Sequence, residues 1–234
     1  MTAQNARTEL KKYASLSKAK ILSGFFKTGP GEYGEGDIFI GVKVPDIRRV
    51  ARQFKPLSKP HVLTLLRSPI HEERLLALLI LIAQFESGDK KTKKHITRLY
   101  LDNSCYCNNW DLIDVSAHKI LGRFLEDKSR RILYKLARSK NMWQRRMSIV
   151  STLTFIRNND FSDTFFIADI LQNDREDLLH KAAGWMLREA GKRDTKALEN
   201  FLKTRYNRLP RTMLRYAIER FPQKQRQRYL TGKI

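Results

Sequence analysis

The chain has three tryptophans, and each stands beside a charged residue at helical spacing. Trp110 precedes Asp114 by four residues, Trp143 precedes Arg146 by three, and Trp185 has Lys181 four before it and Arg188 three after it. These spacings put the members of each set on one helix face. Asp114 is the sharpest of these residues. It follows Leu112 and Ile113 in an apolar helical stretch, where a carboxylate is costly unless it is satisfied or functional. A carboxylate flanked by tryptophan faces can stabilise a centre that becomes cationic, through its own charge and through cation–π contact. Packing is the competing reading of the tryptophans, because each can bury a large area.

Other common chemistries find no support in the sequence. His118 and His180 are isolated, and no His/Cys spacing matches a zinc site. There is no Gly-x-Ser-x-Gly elbow, and neither Cys105 nor Cys107 has a histidine evidently placed to activate it. Two cysteines two residues apart in a helical-looking stretch are too few for a disulfide framework and suit a reducing compartment. The stretch Lys27 to Asp37 is glycine-rich but lacks the Walker spacing and its Gly-Lys-Ser/Thr ending. The longest apolar run, Leu75 to Ala83, has about half the length a membrane span needs. The N-terminus has no apolar signal segment. The expectation is a cytoplasmic protein with no membrane association.

Charge points to the partner. The 234 residues include 46 Lys+Arg and 24 Asp+Glu, a formal net charge of +22. That excess is larger than solubility requires and suits a polyanion, with nucleic acid favoured over an acidic protein or a membrane surface. Residues 1–117 carry a net +7 and residues 118–234 a net +15. The densest stretch, 203–228, holds nine basic residues and one acid, Glu219.

The elements that must position these residues are helical. Five of the seven prolines lie at or before Pro69, and none falls between Ile70 and Leu209. Apolar residues there recur at helical spacing, as in Leu75, Leu78, Leu79 and Ile82. Similar two-helix units restart near His71, Asn108, Asn141, Asp177 and Leu209, at intervals of roughly 32–37 residues, which is the length of a helical-hairpin repeat. The reading is an all-α single domain over 1–234, with N-terminal helices and the glycine-rich loop to about residue 70 and stacked hairpins beyond. Residues 1–24 read as one helix, and Pro45 opens another that runs through Arg48, Arg49 and Arg52.

The runs NNWDLIDVSAHKILG, NMWQRRMSIV and HKAAGWMLREAGK occur in that order, after DIFIGVKVPDIRRVAR. Together, from about Asp37 to Lys192, they resemble the AlkD-like DNA glycosylase family of DNA alkylation repair proteins. The resemblance implies a HEAT-like solenoid whose concave basic cleft holds duplex DNA, and a monomeric enzyme without cofactor or metal. The implied reaction is hydrolysis of the N-glycosidic bond of cationic alkylpurines such as 3-methyladenine and 7-methylguanine. On matching positions, Asp114 is the catalytic carboxylate, and Trp110 and Trp185 contact the lesion's deoxyribose and backbone. Arg146 holds the backbone nearby, with Trp143, Lys181 and Arg188 as further DNA-facing residues. The glycine-rich insertion departs from better-known members, and Tyr33 is the candidate for the family's N-terminal aromatic.

The chemistry agrees with that implication. A purine already carrying a positive charge leaves without a general acid, so one carboxylate suffices where an ordinary glycosidase normally needs two. The alternatives are a non-catalytic HEAT-like module binding distorted or branched DNA with the same cleft, and a basic helical scaffold for protein or RNA.

Overall fold

The computed structural model describes residues 1–234, and it is helical throughout apart from an isolated parallel bridge between Ile38 and Ile70. No helix is long and apolar enough to cross a membrane. Residue contacts divide the chain into two compact units, 1–116 and 117–234.

The first unit contains α1 (Ala3–Lys11), α2 (Leu16–Phe25), α3 (Val44–Gln53), α4 (Lys59–Leu66), α5 (His71–Ser87) and α6 (Lys90–Asp102), and it ends within α7 (Trp110–Ala117). Local chemistry starts these helices. Thr2 and Asn5 form a capping box at α1, Asp89 accepts the Thr92 N–H at α6, and prolines occupy the first turns of α3 and α4. The single helix expected over 1–24 is two. The chain turns through Lys12–Ala14, and the Ser15 N–H donates to Ile40 O at 2.9 Å, a long-range bond that local periodicity does not reveal. Gly41 permits that approach: it has φ +80°, and a Cβ there would lie 2.1 Å from Ser15 O. α5 is buried almost all round, with α3, α4 and α6 packed on it. By contrast α2 has no buried residue, and Ile21 and Phe25 are 69% and 62% exposed. The stretch with the two cysteines is a short 3₁₀ turn, Ser104–Tyr106, rather than an α-helix, with Cys107 buried just after it.

The second unit opens with a π-turn, His118–Gly122, and continues through α8 (Arg131–Leu136), α9 (Met142–Ser151), α10 (Leu153–Arg157), α11 (Ser162–Leu171), α12 (Asp177–Arg193), α13 (Thr195–Lys203), α14 (Arg211–Ala217) and α15 (Gln223–Thr231). The carbonyls loosened by the π-turn find hydroxyl partners: Thr154 Oγ1 donates to His118 O at 2.6 Å, and Ser151 Oγ reaches Ala117 O at 3.4 Å. α12 packs between α9 and α14. Gly184 makes the second contact possible, since a Cβ there would meet Met213 O at 2.6 Å and Tyr216 Cβ at 2.5 Å. α5, α7, α9, α12 and α14 begin at or within two residues of the five restarts read from the sequence. The repeat is therefore a helix-pair repeat, and within the second unit its later helices stack side by side.

Candidate active site

Trp110 and Asp114 share one side of α7, and both are half-buried. The opposite side, Leu112, Ile113 and Ser116, is fully buried. Two side chains satisfy the first amides of the helix: Asn109 Oδ1 accepts from Trp110 N at 2.8 Å, and Asp111 Oδ1 accepts from Leu112 N at 2.9 Å. One turn on, Ser116 Oγ donates to Leu112 O at 2.6 Å and lies 2.7 Å from the Tyr100 hydroxyl. Burial pushes that phenol well above its usual value of 10.0, and the nearby Asp114 charge adds to the shift.

Two phenylalanines build the wall beside Trp110. Phe26 stacks on it with centroids 5.2 Å apart and planes 22° apart, and Phe25 meets it edge-on at 6.0 Å. Phe26 also stacks on Phe39 at 5.0 Å. Tyr33 is half-buried within the glycine-rich loop. The adjacent pair Phe25-Phe26, just before the glycines, was the sequence signal for this wall.

Beneath α7 lies a cluster of buried ionisable side chains that sequence patterning did not single out. His71, Glu72, Glu73 and Arg74 open α5 and are each 1–3% exposed. The imidazole of His71 bridges two carboxylates, with Nδ1 3.1 Å from Asp37 Oδ2 and Nε2 2.8 Å from Asp111 Oδ2. Asp37 also accepts from Arg74 Nη2 at 2.6 Å and from the amides of Asn108 and Asn109, each at 3.2 Å. Burial alone would raise the Asp37 carboxyl, but the His71 hydrogen bond and the Arg74 charge outweigh it and hold the group below its usual range. Burial would likewise lower His71, yet its bonds to Asp111 and Asp37 win and raise it above 6.5. Nearby, Glu72 Oε1 accepts from Gly41 N at 2.8 Å and Val42 N at 3.2 Å, pinning the loop to α5, and Arg7 Nε donates to Glu73 Oε2 at 2.8 Å. A mostly apolar cavity of about 450 Å³ reaches His71 and Asp111 from between α2 and the start of α3. The signal in the sequence was HEER standing directly before the longest apolar run.

The remaining expected residues lie in the second unit, on α9 and α12. Trp143, expected at a DNA surface, is instead 8% exposed and packs in the interior. Arg146 is 5% exposed, and its Nη1 donates to Leu178 O at 2.6 Å, tying α9 to the first turn of α12. Trp185 is half-buried, with its indole N–H held by Glu189 Oε1 at 3.2 Å. Lys181 pairs with Asp177 at 2.8 Å, and Arg188 pairs with Glu219. His118 is buried and pushed down to about 4 by burial and by the cations Arg157, Lys119 and Arg123, so it is neutral at physiological pH. His180 Nε2 lies 2.8 Å from Asp174 O.

An all-helical protein of stacked hairpins, with a half-exposed carboxylate one turn from a tryptophan on α7, is the class that fold and geometry define. The chain belongs to the DNA alkylation repair enzyme family, whose model matches residues 6–221. A solved structure described as a predicted DNA alkylation repair enzyme from Enterococcus faecalis is similar over 90% of this chain and 97% of its own, with a TM-score of 0.69 at 15% identity. At that identity the likeness carries the fold. No curated protein matches the chain.

Proposed function

We propose that this protein is a monofunctional DNA glycosylase that hydrolyses the N-glycosidic bond of cationic alkylpurines, 3-methyladenine and 7-methylguanine, in duplex DNA, acting as a monomer. The observation that carries the reading is Asp114, half-buried on the same face of α7 as Trp110 in a member of a DNA repair family. The C1′–N bond breaks heterolytically, and its electron pair neutralises the charged base, which departs without being protonated. The sugar passes through an oxocarbenium-like state that the Asp114 carboxylate stabilises and the face of Trp110 supports, and Trp185 serves as a further aromatic contact to the DNA. Water adds to C1′ and loses its proton towards Asp114, leaving an abasic site.

The net charge of +22 draws the polyanion in, and Lys181, Arg188 and Arg146 on α9 and α12 meet it, Lys181 and Arg188 by exchanging their partners Asp177 and Glu219 for phosphate. Arg146 does so from a buried position that also anchors α12. The test is incubation with a duplex carrying a single 7-methylguanine, followed by alkaline cleavage at any abasic product. Strand scission at the lesion is the expected result. Tight duplex binding with no scission would leave a non-catalytic DNA-binding module instead.

A further inference from the structure

We propose that His71 is a positioning residue for base release: as an imidazolium it clamps Asp37 of the glycine-rich loop to Asp111 of α7, and so holds Trp110 and Asp114 in their working orientation. This rests on the glycosylase reading and adds a buried group outside the Trp110–Asp114 face.

Four observations carry it. First, His71 faces a carboxylate at each ring nitrogen, at 3.1 and 2.8 Å. Only the doubly protonated ring can donate to both; the neutral ring donates from one nitrogen and leaves the other carboxylate without that bond. Second, the ring lies against aromatic faces, Phe39 at 4.5 Å and Phe26 at 5.0 Å, which favour a cation. Third, the clamp has leverage on the site. Asp111 directly follows Trp110 and precedes Asp114 by three residues, and Phe26, which packs on His71, also stacks on Trp110. Fourth, His71 and Asp111 both line the cavity of about 450 Å³, so the ring borders open space rather than being packed on every side.

The charges around the ring balance. Asp37 comes from the loop, Asp111 from α7 and Arg74 from α5 itself, so the imidazolium completes two cations against two carboxylates. Lys18 of α2, Lys43 before α3 and Glu72 of α5 border the same cavity. Loss of the proton leaves a buried excess of negative charge next to α7. Because the folded value of His71 is raised above 6.5, the clamp is complete below that pH and is lost as pH rises through the folded value.

The experiment measures single-turnover release of 7-methylguanine across about pH 6 to 10, which brackets the imidazole range, for wild type, His71→Gln and Asp111→Asn. Duplex affinity and amide-exchange protection at residues 110–113 are measured in parallel. The wild-type rate should fall on the alkaline side by on the order of tenfold or more, since small misplacements of catalytic groups cost that much. His71→Gln should be slow with no such limb, and Asp111→Asn should move the limb to lower pH by removing one carboxylate partner. Affinity should stay within a few-fold, and wild-type protection at 110–113 should decline through the same limb. His71→Gln keeps a donor and most of the side-chain volume; should it fail to fold, the wild-type and Asp111→Asn profiles still decide. A His71→Gln protein with wild-type rate and limb, or a limb unmoved in Asp111→Asn, overturns the proposal. If wild type releases no base, the glycosylase reading fails and the exchange arm alone judges the clamp: protection unchanged by pH and by His71→Gln refutes it.

Discussion

The two units use charge in opposite ways. The first has the smaller net charge, and it buries Asp37 in contact with His71 and Arg74, with Glu72 and Glu73 buried beside them on the Gly41–Val42 amides and on Arg7. The second has about twice the net positive charge and leaves much of it on the surface, including Lys203, Arg208, Arg215, Arg220 and Lys224, all exposed. Buried and paired, a charge fixes geometry, because moving its partner away costs several kcal/mol. Exposed, a charge does little for stability and instead sets the attraction for a polyanion. The first unit thus holds a buried constellation of charges, whereas the second carries the larger exposed positive charge.

Breaking the buried set should give the largest effect. Asp37→Ala leaves His71 and Arg74 without their shared partner, and should lower the unfolding free energy by about 3–5 kcal/mol, read from urea or thermal unfolding. A harmless Asp37→Ala would erase the contrast between the units. A comparable loss is expected in substrate range. In the proposed mechanism the base leaves unprotonated, so uracil or hypoxanthine should leave about 10²–10⁴-fold more slowly than 7-methylguanine, roughly 3–5 kcal/mol of barrier, in matched single-turnover assays. Equal rates would require a protonating group near α7.

Arg146 is the place where the second unit behaves like the first. Arg146→Ala removes the 2.6 Å bond to Leu178 O from a buried position and should cost about 1–3 kcal/mol of stability, so a weakened DNA affinity must be compared at matched folded fraction. Unchanged stability would make it a DNA contact alone. The smallest effect on stability sharpens the comparison most. Arg215→Gln with Arg220→Gln should leave stability within about 0.5 kcal/mol, while flattening the slope of log affinity against log salt by roughly one to two units. An unchanged slope would mean that this stretch of the basic surface does not meet phosphate.

Much of the architecture was legible in the sequence because it is written locally. Prolines start α3, α4, α14 and α15, Asn141 caps α9, and the five repeat restarts mark real helix starts. What was not legible depends on residues far apart in sequence. The break between α1 and α2 is set by Ser15 pairing with Ile40, and the clamp joins residues 37, 71 and 111. The burial of Trp143 was hidden for a related reason: a tryptophan with an arginine three residues on has the same helical spacing whether its face meets solvent or another helix. Trp110 and Asp114 could be placed on one face from spacing alone, whereas Phe25, Phe26 and His71 beside them needed the tertiary structure.

The central claim, that the carboxylate of Asp114 drives base release, is tested most directly by comparing wild type with Asp114→Asn on a duplex carrying one 7-methylguanine. Single-turnover release and duplex affinity are measured on the same preparations. Asparagine keeps the shape and loses the charge, so release should fall by on the order of 10²-fold or more while affinity stays within a few-fold. Release by Asp114→Asn at the wild-type rate would contradict the account.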